Sequence, residues 1–178
     1  MENYKLIFSG SGGQGVITAA IVLAEAAVLH ENLHAVQAQS YGPEARGGAT
    51  RSDVIISNSS IYYPKVAHPN FLVCLTQESY NKFSQLVIPG GKIIIDSRFV
   101  TPTRAADATQ KSYPMYDTVM ENFNNPIVHN ICMLGVTIKL TGVIKPESLM
   151  KVFEVRMPAK FVDMNKQALK VGMELVSN

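Results

Sequence analysis

Residues 4–16 read Tyr4-Lys5-Leu6-Ile7-Phe8-Ser9-Gly10-Ser11-Gly12-Gly13-Gln14-Gly15-Val16, and the segment that follows is Ala-rich as far as Leu29. A short apolar β-type run, a glycine turn and a long Ala-rich stretch predict strand, tight turn and helix. Glycines at such a turn permit positive φ and close approach of backbone to backbone or to a phosphate. The first N–H groups of the helix then face the turn, with the positive end of the helix dipole behind them. Gly10, Gly12 and Gly15 satisfy G-x-G-x-x-G in the strand-to-helix setting of a dinucleotide fingerprint. The second half of that fingerprint is missing. A nicotinamide or flavin site wants Asp or Glu at the end of the second strand to hold the ribose hydroxyls. The second predicted strand, Leu33 to Gln39, ends in Gln39-Ser40-Tyr41, and Glu31 lies before it.

Working outward, 178 residues fit a single domain spanning residues 1–178 with a substantial core. The chain is 47% apolar and 17% charged, which is globular, and the low charge suggests surface covered by other chains. Sixteen basic and fourteen acidic side chains give +2 with no long basic run, which argues against nucleic acid as a partner. Cys74 and Cys132 sit singly in apolar segments, without zinc or iron–sulfur spacing, and read as buried thiols of a cytoplasmic protein. No signal peptide precedes the first strand, and the stretch from Phe8 to Ala24 is too rich in Gly and Ser, and too short before Glu25, for a membrane span.

Further strands are expected at Thr50–Ser57, at Phe71–Leu75 and at Lys92–Asp96, with a short one at Ile61–Tyr63 stopped by Pro64. Thr76 suits a helix N-cap, with Glu78 in the first turn of a helix running to about Leu86. Between Ser97 and Asn125 the pattern is weak, with a strand expected near Ser112–Tyr116. Asn125-Pro126 then reads as a cap with proline at the first helical position, and Gly142 as the far end of that helix. Apolar residues lie nearly all round it, so it is buried in the core or against a partner, and it offers an isolated chain a route to homo-oligomers. Two more helices follow, opened by Pro146 and Pro158. The last is expected to carry its apolar stripe on Val162, Leu169, Met173 and Val176, with Lys166 and Lys170 on a solvated side. The alternation gives an α/β fold: a Rossmann-like, doubly wound, mostly parallel sheet with additional C-terminal helices.

The connection Tyr41-Gly42-Pro43-Glu44-Ala45-Arg46-Gly47-Gly48 is a second glycine-rich loop. In a parallel sheet it emerges at the same carboxyl edge as the first, where ligands bind in such folds. Arg46, with Arg51 just beyond, can receive phosphate or carboxylate; alternatively Gly47 and Gly48 only permit a turn while Arg46 pairs with Glu44 or a neighbouring subunit. No catalytic set emerges. His30, His34, His68 and His129 are scattered without carboxylates at metal spacing, no Lys-Ser or Lys-Thr closes a phosphate loop, and Asp96 reads best as a cap.

Taken together, Gly10–Gly15, the run from Gln39 to Gly48 and Ser52-Asp53-Val54-Ile55-Ile56-Ser57 resemble the gamma subunit of 2-oxoacid:ferredoxin (acceptor) oxidoreductases, and the equivalent domain of single-chain pyruvate enzymes. The second loop is most similar to that of the 2-oxoglutarate enzymes. The resemblance implies a complex of anaerobic metabolism that decarboxylates a 2-oxoacid on thiamine diphosphate with magnesium, passes electrons through iron–sulfur clusters to ferredoxin or another acceptor, and transfers the acyl group to coenzyme A. It places thiamine and the clusters on partners, the alpha and beta subunits and a ferredoxin-like delta subunit, and leaves this chain as an assembly subunit without a catalytic or metal site and inactive in isolation. It further implies that Gly10, Ser11, Gly12, Gly13, Gln14 and Gly15, with Gly42, Glu44, Arg46, Gly47 and Gly48, line a site for coenzyme A or another anion. The competing reading is a freestanding NAD(P)- or flavin-binding enzyme.

Overall fold

A computed structural model describes residues 3–39, 48–103 and 107–176. Six strands form one sheet: β1 (Tyr4–Gly10), β2 (His34–Gln39), β3 (Thr50–Ser57), β4 (Phe71–Cys74), β5 (Lys92–Asp96) and β6 (Thr109–Tyr113). Their spatial order is β2-β3-β1-β4-β5-β6. The ladders β1–β4, β4–β5 and β5–β6 are parallel. β3 alone runs against its neighbours, antiparallel to both β1 and β2. The helices are α1 (Val16–His30), α2 (Gln77–Phe83), α3 (Met115–Phe123), α4 (His129–Thr141), α5 (Pro146–Arg156) and α6 (Ala159–Glu174).

Alternate residues of the central strands point to opposite faces, and each face carries its own core. On one side Leu6, Phe8, Val54, Ile56, Val73 and Ile94 meet α1, α3, α4, α5 and α6. On the other, Ile7, Ile55, Leu72, Ile93 and Ile95 meet Tyr80 and Phe83 of α2 and Val66 of the segment that precedes β4. Thr76 caps α2 through a capping box with Ser79, as its position before Glu78 suggested. Asn125 caps a 3₁₀ turn, Pro126–Val128, that runs straight into α4, and Gly142 ends α4 in the left-handed region at φ 61°.

The nearly all-apolar helix is α4. Every residue from His129 to Ile138 is buried inside this one chain, with α6 packed across it, so α4 offers no surface for self-association. The crossing is backbone on backbone. A Cβ placed on Gly135 would lie 2.2 Å from the Leu169 carbonyl oxygen, and one on Gly172 would lie 2.0 Å from that of Cys132.

Several expectations are corrected. Ile61–Tyr63 is not a strand, because no strand neighbours it to complete a ladder. The weakly patterned stretch holds β6 three residues earlier than expected, and Tyr116 belongs to α3, an unforeseen helix that buries only Met115 and Val119. The buried stripe of α6 is Asn165, Ala168, Leu169 and Gly172, since the close approach to α4 selects small residues; of the expected stripe only Leu169 is fully buried. Lys166 lies against α5, where its Nζ donates to Glu154 at 2.6 Å.

Candidate functional site

β1 delivers the glycine turn to the carboxyl edge of the sheet, and the turn closes on itself. The Ser11 N–H donates to Gln14 Oε1 at 2.7 Å, so that donor is engaged within the turn. A Cβ on Gly10 would sit 2.4 Å from Gln14 Oε1 and 3.3 Å from Leu75 Cβ, so it would displace the glutamine side chain that closes the turn. Gly13 and Gly15 occupy the left-handed region at φ 88° and 72°. Around Gly12 and Gly13 a Cβ would meet nothing within 4 Å. The turn is therefore tight at its ends and open at its crest.

α1 begins at Val16 with Gly15 as a cap that has no side chain, and its first turn carries no acidic residue. Its leading N–H groups have no partner within the helix and keep the positive end of the dipole uncompensated. The far wall is α4. Asn130 Nδ2 donates to the Gly15 carbonyl oxygen at 3.1 Å, locking the turn to a helix more than a hundred positions away. Asn130 is 6% exposed, and among the described residues its Oδ1 is the buried side-chain polar atom without a hydrogen-bond partner. Between turn, α4 and α6 lies a cleft of about 330 Å³, lined by Gly13, Thr18, Asn130, Ile127, Phe161 and Met164 among others, none of them charged. Asn130 escaped the sequence reading because nothing in an apolar helix marks one amide as the partner of a distant glycine.

Of the second glycine loop, Gly42, Glu44, Arg46 and Gly47 lie outside the described residues; Gly48 is half-buried at the approach to β3. The strands fix where that connection starts and ends. β2 runs in the same direction as β1, so Gln39 ends at the carboxyl edge, and Thr50 at the start of β3 pairs with Gly10. The strand ends that flank the second connection thus lie at the same edge as the glycine turn, and β3, not β2, is the strand beside that turn. Arg51 takes another role. Its Nε and Nη2 make a bidentate pair with Asp53 at 2.6 and 2.9 Å, it donates to the Val66 carbonyl, and its guanidinium lies over Phe83. Asp53 also accepts the Val66 N–H, so the pair pins the segment before β4 to the sheet.

Asp96 does cap its loop, accepting the Arg98 N–H at 3.0 Å, and it does more. Its Oδ2 accepts the Tyr116 N–H at 2.9 Å and faces His129 Nε2 at 2.7 Å, with Asp96 and His129 0% and 3% exposed. A dyad so enclosed ties β5 to α3 and α4 and is out of reach of any substrate. His30, His34 and His68 are exposed. Both cysteines are free and buried. Burial pushes the Cys74 thiol up to about 12; burial, with the Asp96 charge second, does the same to Cys132. Neither is a usable thiolate. Among the described residues no group of three His, Cys, Asp or Glu is placed to hold a metal ion, and no helix is long and apolar enough to cross a membrane.

Residues 5–175 match the family described as pyruvate ferredoxin/flavodoxin oxidoreductase. The chain is similar to 2-oxoglutarate synthase subunit KorC of Methanocaldococcus jannaschii, 41% identical over 96% of this chain and 92% of the relative. It is less similar to pyruvate synthase subunit PorC of Methanothermobacter marburgensis, 29% identical over 96% of both. Among solved structures, the keto/oxoacid ferredoxin oxidoreductase gamma subunit of Geobacter sulfurreducens PCA superposes with a TM-score of 0.87 at 38% identity, covering 98% of this chain and 99% of that one.

Proposed function

The chain belongs to the pyruvate ferredoxin/flavodoxin oxidoreductase family, and we propose that it is the gamma subunit of a 2-oxoacid:ferredoxin oxidoreductase that oxidises 2-oxoglutarate to an acyl-coenzyme A. The observation that carries this reading is the end-to-end match, at 41% identity, to a protein named as a subunit of 2-oxoglutarate synthase. The lower identity to the pyruvate synthase subunit favours 2-oxoglutarate over pyruvate. Thiamine diphosphate, magnesium and the iron–sulfur clusters belong to alpha, beta and ferredoxin-like delta partners, and ferredoxin or another acceptor takes the electrons.

Within that complex the rim built from Gly10 to Gly15 and the loop carrying Gly42, Glu44, Arg46, Gly47 and Gly48 contacts coenzyme A. Two features support the reading: the open crest at Gly12 and Gly13, and the uncapped start of α1 beside it. The neutral cleft on the other side of the turn suits an uncharged, amide-bearing part of a ligand, whose N–H would answer Asn130 Oδ1. The test is reconstitution. Co-expressed with the neighbouring thiamine-binding and ferredoxin-like chains, this chain should co-purify with them and support coenzyme A-dependent reduction of ferredoxin by 2-oxoglutarate. Turnover of NAD(P) or a flavin by the chain alone would refute it.

A further inference from the structure

The buried side chains of α4 that carry nitrogen or a hydroxyl are His129, Asn130 and Thr137. Thr137 donates to the Met133 carbonyl oxygen of its own helix at 2.9 Å. The two that reach outside the helix are consecutive. His129 Nε2 lies 2.7 Å from Asp96 Oδ2, and Asn130 Nδ2 donates to the Gly15 carbonyl oxygen at 3.1 Å. Neighbours in an α-helix point about 100° apart. One therefore meets the end of β5 while the other meets the end of the glycine turn that follows β1.

The two anchors are unequal. Asn130 makes one hydrogen bond, and its Oδ1 has no partner, so its amide keeps its place only while the helix backbone holds it there. His129 faces a carboxylate that is itself fixed, because Asp96 accepts the Arg98 and Tyr116 N–H groups at 3.0 and 2.9 Å. The imidazole also stands edge-on to the Tyr116 ring, with centroids 5.6 Å apart. A polar network so enclosed is rigid when its members are satisfied. Turning a helix by about 10° moves a side-chain tip by about 1 Å, enough to take the 3.1 Å bond of Asn130 out of hydrogen-bond range. The Gly135–Gly172 crossing fixes the middle of α4, and the pair with Asp96 fixes the rotation of its first turn. What Asn130 holds is a junction: the Gly15 carbonyl also accepts the Ala19 N–H, at 3.0 Å, at the start of α1.

We propose that the Asp96–His129 pair is a positioning device for the glycine turn, setting the rotation of the first turn of α4 and so holding Asn130 against Gly15. Neither member touches a ligand. The consequence for binding rests on the reading that the turn contacts coenzyme A: the pair then sets affinity for coenzyme A from behind the turn.

The experiment follows amide exchange in the full chain and coenzyme A kinetics in the assembled oxidoreductase. The reporters are the Ser11, Gln14 and Ala19 amides, which donate to Gln14 Oε1, the Ser11 carbonyl and the Gly15 carbonyl. Asp96→Asn keeps a single acceptor oxygen where two N–H groups and the imidazole converge, and it leaves no buried charge unpaired. It should speed exchange at the reporters by about tenfold more than at the amides of β1 and β4, which report global unfolding. His129→Phe, which keeps a ring beside Tyr116, is a second route to the same loss, whereas His129→Gln, whose Nε2 can donate to Asp96, should stay close to wild type. Glu31→Ala removes the acceptor of the Lys145 N–H and the Ser148 hydroxyl near the other end of α4, and should show no such excess. With Asn130→Ala already in place, Asp96→Asn should add nothing further at the reporters. The KM for coenzyme A should follow the same non-additive pattern, with kcat unchanged. The proposal fails if the reporters respond to Asp96→Asn no more than to Glu31→Ala, or if the Asp96 and Asn130 substitutions add at the turn. Reporters that move together while the KM stays fixed in every variant uphold the positioning role and refute the coenzyme A contact.

Discussion

Asn130 Nδ2 lies 3.1 Å from the carbonyl oxygen of Gly15, a hydrogen bond between residues 115 positions apart that joins the end of the glycine turn to helix α4. The same side chain forbids a Cβ on Gly15, which would come within 2.5 Å of Nδ2. Turn geometry and helix packing are therefore one structural unit, and a change in either is felt by both.

Replacing Asn130 by alanine removes that bond and leaves the Gly15 carbonyl without its side-chain donor. The expected loss is about 1–2 kcal/mol of unfolding free energy, read as a lower urea midpoint with an unchanged slope. If Asn130 Oδ1 also receives a ligand N–H in the assembled enzyme, the KM for coenzyme A rises as well.

Gly15→Ala and Gly12→Ala separate folding from binding. At Gly15 the left-handed φ of 72° costs about 1–2 kcal/mol for a non-glycine residue, and Asn130 must also move. At Gly12 φ is not positive and a methyl group meets nothing within 4 Å, so the thermal midpoint should be unchanged. In the assembled oxidoreductase, Gly12→Ala and Arg46→Ala should each raise the KM for coenzyme A with the subunits still co-purifying. An unchanged KM in both would remove the rim from coenzyme A binding.

Gly172→Ala should be among the most damaging single-methyl changes in the chain. The added carbon would fall 2.0 Å from the Cys132 carbonyl oxygen, and backbone cannot rotate aside as a side chain can. Forcing α4 and α6 apart is expected to cost about 1–3 kcal/mol or more. Calorimetry should show a fall of several degrees in Tm, with Gly142→Ala, whose Cβ meets nothing, as a milder comparison affected only through its φ.

Glu25 and Arg156 make a two-point ion pair at 2.6 and 2.8 Å that ties α1 to α5, and the hydrogen bonds from Arg156 hold the Glu25 carboxyl below its ordinary range. A carboxyl lowered on folding adds stability above its unfolded value, near 4.3, and loses it as pH falls through the lower folded value. Both side chains are substantially exposed, so the contribution at neutral pH is only about 0.5 kcal/mol. Glu25→Gln should thus unfold slightly earlier than wild type at about pH 7, and the two urea curves should converge on going toward about pH 3. A gap that stayed constant across that range would assign the effect to packing.

The parts of the fold legible in the sequence were those with local signatures. β1, the glycine turn and α1 follow from an apolar run, glycines and an Ala-rich stretch; β4 and β5 from continuous apolar runs; the ends of α4 from Asn125-Pro126 and Gly142. Direction was not legible. Nothing in Thr50–Ser57 says that it runs antiparallel and wedges between β1 and β2, since strand patterning is the same read either way. α3 was hidden because a helix that buries only Met115 and Val119 has little periodicity to show. The Asp96–His129 dyad was hidden because a lone carboxylate and a lone imidazole 33 positions apart carry no local mark of their meeting. Of the candidate site, the glycine turn was legible as a conformation, while Asn130 and the engagement of Arg51 by Asp53 required the tertiary fold.

The reversal of β3 makes β2 and β3 a hairpin, with Gln39 opposite Ser52 at the end that carries the connection and His34 opposite Ser57 at its open end. A crossover between parallel strands must span the sheet, but a hairpin tip is tethered twice at one place. The ten residues between β2 and β3 can therefore be rewritten, lengthened or shortened without shifting the register of any ladder. In evolutionary terms the paired strands are a fixed handle, and the sequence they connect can drift while the mould that shapes the subunit stays the same.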